Sequence, residues 1–122
     1  EHPVLGIGMG SFGPYASYHP YVVPSQGYQI VNNEYIELVA ENGILGLLAF
    51  LIILITLAVR TVKAYVVTES AFLKSVIIGL SAALIGILIQ YNTFSILYIM
   101  HVWVLIGLLV DAQNLILVGE QT

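Results

Sequence analysis

The sequence contains no cysteine and very few charged residues. Three Lys or Arg and seven Asp or Glu in 122 residues make charged side chains 8% of the chain, against roughly 25% in an ordinary soluble domain. Without cysteine, the chain has no disulfides, thiol nucleophiles or thiolate metal ligands. Hydrophobic residues make up 59% of it. So few charges cannot cover the surface of a water-soluble domain, so we expect lipid to be the solvent for much of the chain.

The scarcity of basic residues excludes nucleic acid as a partner, because a net charge of −4 with three scattered cations offers no patch for a polyanion. The GIGMG segment is similar to part of a dinucleotide fingerprint, but no strand precedes it and no helix plausibly follows it. His2 and His19 lie in His-Pro dipeptides without the spacing of a zinc pair. They are interpreted as solvated loop residues, and neither a metal site nor a cofactor is predicted.

Three apolar runs predict three transmembrane helices, at about 44–59, 72–90 and 94–110. Crossing ~30 Å of hydrocarbon takes about 20 helical residues, and each run is near the lower limit. Residues 91–93 alone separate the second run from the third, so these two helices are expected to form an antiparallel hairpin. The predicted fold class is an all-α integral membrane protein. His101, midway along the third run, is expected to bond another helix as a neutral imidazole.

Basic residues predict the orientation of these helices, since Lys and Arg close to membrane segments are retained on the cytoplasmic side. Arg60, Lys63 and Lys74 fall in or beside the predicted loop between the first two helices. Residues 1–43 are therefore predicted to be extracytoplasmic, and residues 111–122 to form a cytoplasmic tail.

The predicted outer segment, residues 1–43, contains all four prolines, six of the eleven glycines and five of the eight tyrosines. Its first four glycines are spaced where close backbone approach or positive φ is useful, and its later prolines interrupt any helix. Tyrosines suit a membrane interface. We therefore expect a loop on the outer surface. The glycines and prolines that indicate it are Gly6, Gly8, Gly10, Gly13, Pro14, Pro20 and Pro24.

The sequence NNEYIELVAEN predicts a short amphipathic helix at about 33–42. At about 100° per residue, Glu34, Glu37 and Glu41 share one face. One interpretation is a solvated acidic face. The other is that these carboxylates pair with Arg or Lys residues from elsewhere, or orient a sugar hydroxyl.

Three segments together resemble the O-antigen ligase and polymerase superfamily, which are membrane glycosyltransferases. EHPVLGIGMGSF is similar to the family's entry into its large external loop. In NNEYIELVAENGILGLLAFL, Asn32 and Asn33 precede Gly43 and Gly46 at the family's spacing. FSILYIMHVWVLIGLLVDA is similar to the family's last membrane segment. The segments occur in the family's order and cover nearly the whole chain.

The resemblance implies transfer or polymerisation of a surface glycan outside the bacterial cytoplasmic (inner) membrane. The donor is a polyprenyl-pyrophosphate-linked glycan and the acceptor a glycan or lipid-glycan, and no metal need take part. Asn32 and Asn33 are expected to hydrogen-bond sugar as catalytic-site residues. Glu34, Glu37 and Glu41 are expected to bind substrate, by orienting the acceptor or pairing with arginine.

Asn32 occupies the position of the family's His, and an amide cannot act as a general base near neutral pH. This departure favours a polymerase or a related member over a ligase. The family's external arginines, which hold the donor pyrophosphate, are absent from this chain. They are expected in an upstream remainder of the same polypeptide, so the chain is interpreted as a carboxy-terminal fragment that is inactive alone.

A second hypothesis is a non-catalytic three-helix membrane protein that binds a partner through its tyrosine-rich outer loop. Composition permits this function as well. The sequence upstream of Glu1 discriminates between the two, since the enzyme hypothesis requires further membrane helices and external arginines there.

Overall fold

The computed structural model describes residues 2–17, 32–93 and 100–119. Every regular element in these ranges is an α-helix: α1 (Phe12–Ser17), α2 (Glu34–Val67), α3 (Ala71–Gln90) and α4 (Met100–Gly119). The last three helices are each long and apolar enough to cross a membrane. The prediction of an all-α protein with three apolar helices is confirmed, and these helices indicate a multi-pass membrane protein.

The chain divides into two compact units. The first unit consists of Glu1–Leu51 and Gln90–Ile96, and the second of Ile52–Ile89 and Leu97–Thr122. The first unit holds α1 and the amino-terminal part of α2, and the second holds most of the three apolar helices.

Helix α2 is interrupted at Gly43, which has φ 69° and ψ −172°. It begins where Asn33 Oδ1 accepts the N–H of Ile36 at 3.1 Å, a side-chain cap that satisfies a donor in the first turn. Glu34 and Glu37 lie in that turn, where the helix dipole favours negative charge. The break at Gly43 separates this polar stretch from the apolar remainder of α2.

Helix α2 does not end at Arg60, so the loop between the first two helices is shorter than predicted. The helix continues to Val67, and three residues then connect it to α3. Arg60 ends the apolar run, but no Gly or Pro follows it to stop the helix. The helix ends only at Val67. The next helix, α3, is capped at its start by Ser70 Oγ, which accepts the N–H of Leu73 at 3.4 Å. Arg60 and Lys63 are therefore helical residues.

Helix α4 likewise continues beyond the predicted boundary. It was expected at 94–110 with a tail at 111–122, but residues 111–119 are helical. Asp111 ends the apolar run without ending the helix, because Ala112, Gln113 and Ile116 after it are buried in the second unit. His101 is the second residue of α4 as described, and its side chain is exposed. Residues 94–99 and 120–122 lie outside the described part.

The second unit buries two small apolar clusters, each with side chains from α2, α3 and α4. One contains Ala64, Ile77, Ala112 and Ile116, and the other contains Leu57, Leu84 and Leu109. Most other apolar side chains point outward, and only 11% of the apolar stretch of α3 is buried. Such exposure would be unfavourable in water, but in a bilayer lipid covers these surfaces.

Gln113 is a fully buried polar residue of the second unit. Its Nε2 donates to the carbonyl of Leu57 at 3.1 Å and to Thr61 Oγ1 at 2.9 Å, and its Oε1 accepts from Arg60 Nε at 3.1 Å. Its side chain is fully buried. These bonds join α4 to α2 where no water replaces a missing partner.

We predict that Gln113→Leu weakens the pairing of α2 with α4. The substitution removes three hydrogen bonds and leaves Arg60 Nε without its acceptor, and we expect a loss of about 1–2 kcal/mol in the free energy of unfolding. Reversible unfolding in mixed detergent micelles measures it. Leu115→Ala, at an exposed position of α4, serves as control and should change stability by less than about 0.5 kcal/mol. Equal stability of the two variants would contradict the prediction.

Candidate functional site

The glycine-spaced segment, residues 3–13, packs directly against the end of the polar stretch of α2. The N–H of Ile7 donates to the carbonyl of Ala40 at 3.0 Å, and the N–H of Gly8 donates to that of Glu41 at 2.8 Å. Beyond the kink, the N–H of Ile44 donates to the carbonyl of Pro3 at 3.0 Å. Two of the segments that carry the family resemblance are thus joined by backbone hydrogen bonds within the first unit.

Two glycines permit this close approach. A Cβ on Gly6 would lie 2.1 Å from the carbonyl oxygen of Glu41, and a Cβ on Gly43 would lie 2.1 Å from that of Val4. Both have positive φ, as do Gly8 and Gly10. Gly13, in contrast, lies in α1, a short helix that follows the GIGMG segment, so the expectation that no helix follows it is wrong. Pro14 does not interrupt this helix as predicted, because it occupies the first turn, where proline is tolerated.

Glu41 holds the glycine-spaced segment through its side chain as well. One carboxylate oxygen accepts the N–H of Gly10 at 2.8 Å, and the other accepts the N–H of Phe12 at 3.2 Å. Phe12 begins α1, so the carboxylate satisfies a donor at the start of that helix. Glu41 is only 2% exposed.

The interpretation of a solvated acidic face is therefore wrong. Glu34 and Glu41 are both buried, and Glu37 is partly buried. Periodicity placed the three residues on one face, but the polypeptide that covers this face lies elsewhere in the sequence. The second interpretation, contact with another group, stays a prediction.

Tyr91 contacts the start of α2 within the first unit. Its carbonyl accepts the N–H of Glu34 at 2.8 Å. Its ring lies 6.2 Å from that of Tyr35 in an edge-to-face arrangement and 6.5 Å from that of Phe50. Tyr91 is fully buried. Burial, and then the nearby charge of Glu34, raise its pKa to about 12, so its hydroxyl stays protonated at neutral pH.

Two buried polar atoms of the first unit have no hydrogen-bond partner within the described part of the chain. They are Glu37 Oε2 and the hydroxyl oxygen of Tyr91. An ionised carboxylate oxygen only accepts hydrogen bonds, whereas a phenol both donates and accepts. Buried polar groups are normally paired, so these two atoms are the candidates in this unit for contact with an external hydroxyl or cation.

The predicted site residues thus differ in their exposure and in their hydrogen bonds. Asn32 is exposed, and Asn33 caps α2 through its side chain. Glu34 is buried beside Tyr91, Glu37 has one unpartnered oxygen, and Glu41 holds the glycine-spaced segment. Asn32 and Asn33 directly precede α2, and the three glutamates lie in its first eight residues. Tyr91 was missed, and the sequence signal for it was weak: an aromatic residue in a short polar connection.

A groove of about 480 Å³ lies on the same unit, and His2 is one of its lining residues. The others are Pro3, Ile7, Phe12, Tyr15, Val39 and Ala40. Its lining is mainly apolar, with the His2 imidazole and the Tyr15 hydroxyl as polar groups. Among the described residues, no three His, Cys, Asp or Glu side chains are grouped to hold a metal ion. His19 lies outside the described residues.

No family model, curated protein or solved structure matches the chain. A functional proposal therefore depends on the residues themselves.

We predict that Gly6→Ala disrupts the first unit and that Gly10→Ala does not. Both glycines have φ near +70°, so alanine carries a similar backbone penalty of about 1–2 kcal/mol at each. Only Gly6 faces a backbone atom; nothing lies within 4 Å of a Cβ on Gly10. Limited proteolysis of the glycine-spaced segment measures the difference. Equal proteolysis rates in the two variants would show that the close approach does not matter.

We predict that Tyr91 ionises about two pH units above an ordinary tyrosine. Its pKa is raised from 10.0 to about 12, so the folded state favours the protonated phenol. The resulting stability is fully present below pH 10 and is lost as the pH rises toward 12. The difference in tyrosinate absorbance between the wild type and Tyr91→Phe isolates this residue. A difference titration centred at pH 10 would show that Tyr91 is not buried beside Glu34.

Proposed function

We propose that this chain is the carboxy-terminal part of a membrane glycosyltransferase similar to the O-antigen ligases and polymerases. It transfers or polymerises a lipid-linked surface glycan outside the bacterial cytoplasmic membrane. The observation that carries the proposal is the backbone pairing of residues 3–8 with residues 40–44. In a chance match, two segments with the family's pattern need not contact each other. Here they belong to one folded unit.

The proposed reaction forms a glycosidic bond. An acceptor hydroxyl attacks the anomeric carbon of the donor, the bond between that carbon and the pyrophosphate oxygen breaks, and polyprenyl pyrophosphate leaves. The proton of the hydroxyl passes to a base. Asn32 cannot be this base, since its amide stays neutral. The negative charge that develops on the leaving group requires cations, and residues 1–51 contain no Lys or Arg.

In this proposal, Asn32 and Glu37 are the substrate-contacting residues of the chain. Asn32 is exposed and retains an amide that can both donate and accept. Glu37 Oε2 can accept a hydrogen bond from a sugar hydroxyl. Asn33 and Glu41 act as positioning residues, because their side chains hold α2 and the glycine-spaced segment. The donor cations come from the upstream part of the polypeptide.

The orientation follows the same proposal. Residues 1–43 are extracytoplasmic, and Arg60 and Lys63 lie on the cytoplasmic side, because basic residues near membrane segments stay inside. The lipid part of the donor lies beside the helices, while its glycan reaches the first unit.

We predict that Asn32→Ala and Glu37→Gln each lower glycan transfer about 10-fold in the whole protein, since Asn32→Ala removes a hydrogen bond to substrate and Glu37→Gln replaces a charged acceptor with a weaker neutral amide. Transfer from polyprenyl-linked glycan is measured in membranes with matched protein levels. Glu69→Gln, an exposed carboxylate in the turn before α3, is the control and should leave transfer unchanged.

Asn33→Ser separates positioning from substrate contact, because serine keeps a capping oxygen at the start of α2. It should retain most activity, whereas Asn33→Ala should lower stability by about 1 kcal/mol. Unaltered turnover in both Asn32→Ala and Glu37→Gln would remove these residues from the site. Absence of any transfer by the whole wild-type protein would refute the proposed function.

A further inference from the structure

The second unit contains an apolar groove that ends at a cation. The groove lies between α2 and α4 and has a volume of about 490 Å³. Ile53 and Thr56 of α2 and Ile106 and Val110 of α4 line its walls. Arg60 lines it at the end nearer the carboxyl termini of the two helices.

The charge of Arg60 is oriented but not neutralised. Its Nε donates to Gln113 Oε1 at 3.1 Å, and its Nη2 donates to Asn114 Oδ1. Both acceptors are uncharged amides. Within the part of the chain that the structure describes, no carboxylate forms an ion pair with Arg60. The guanidinium is thus held in one direction with its full positive charge available to an external anion.

The position of Arg60 along α2 suits a membrane interface. It lies 16 residues beyond Ile44, the first residue after the kink, which corresponds to about 24 Å at 1.5 Å per residue. The hydrocarbon layer is about 30 Å thick. If Ile44 lies at one boundary, the Arg60 side chain reaches the phosphate layer at the other, as long basic side chains do near helix ends.

We infer that this groove is a binding site for an anionic phospholipid, with one acyl chain along α2 and α4 and the phosphate on Arg60. The apolar walls match a hydrocarbon chain, and the guanidinium matches a phosphate in charge and geometry. The inference does not depend on the proposed glycosyl transfer. Lys63, one turn further along α2, is exposed and does not line the groove.

The combination of groove and cation favours a lipid over a free phosphate. A free phosphate would contact only the guanidinium and would leave the apolar walls uncovered. A zwitterionic lipid would cover the walls but would bring its own cation close to Arg60. An anionic lipid alone satisfies both parts of the site.

The test uses the whole protein in phosphatidylcholine bilayers with trace amounts of spin-labelled phosphatidylglycerol or spin-labelled phosphatidylcholine. The fraction of motionally restricted label gives the preference for the anionic lipid. One well-placed basic residue is worth about a five-fold preference, and Arg60→Gln should abolish this contribution. Lys63→Gln, the matched control, should retain most of it. An equal effect of the two substitutions would overturn the inference and assign the preference to general surface charge.

A second variant tests the groove with Arg60 in place. Ile53→Trp fills the groove from an exposed position of α2 and should lower the preference as Arg60→Gln does, with helix content unchanged by circular dichroism. Retention of the full preference in Ile53→Trp would overturn the inference, whether or not Arg60→Gln folds. Added inorganic phosphate should not compete. Loss of the lipid preference in its presence would instead indicate a free-phosphate site.

Discussion

The first unit depends on the burial of one carboxylate. Glu41 is almost completely buried, and residues 1–51 contain no Lys or Arg to neutralise it. A buried carboxylate without hydrogen bonds is very unfavourable, so backbone N–H groups must supply the compensation. Gly10 and Phe12 supply two of them. The need to satisfy this charge therefore fixes where the glycine-spaced segment lies against α2.

The close packing of this segment against α2 in turn determines at which positions only glycine fits. Backbones that approach as closely as those at Gly6 and Gly43 have no room for a Cβ. The left-handed φ of Gly43 also interrupts α2 between its polar and its apolar stretch. The backbone of Val4 approaches the helix at this same residue. One glycine thus serves the contact and the kink together.

The second unit meets the same requirement in a different solvent. Its helices lie in an apolar surrounding, where an unsatisfied polar group has no access to water. The buried amide of Gln113 is satisfied by three hydrogen bonds to α2, and one of these bonds orients Arg60. A neutral amide here keeps the helices paired without cancelling the cation. A glutamate at the same position would neutralise Arg60 and remove its attraction for an external anion.

The sequence alone predicted the three apolar helices, because the length of an apolar run is a local property. It failed at the carboxyl ends of α2 and α4, since Arg60 and Asp111 change polarity without breaking the backbone pattern. It also failed for the acidic face. The partners of Glu41 lie 29 and 31 residues away, and helical periodicity carries no information on contacts at that separation. The same reason explains why Tyr91 was missed.

This distinction between local and distant information also bears on which predicted site residues can contact a substrate. A carboxylate whose two oxygens each accept a backbone N–H cannot move without releasing the segment it holds. Glu41 is in this state, whereas Glu37 has a buried oxygen with no partner in the described chain. Burial of such an atom is unfavourable unless a ligand or another part of the protein completes it. The proposed binding role of this helix therefore depends on the unpaired oxygen of Glu37 and not on the number of carboxylates on the face.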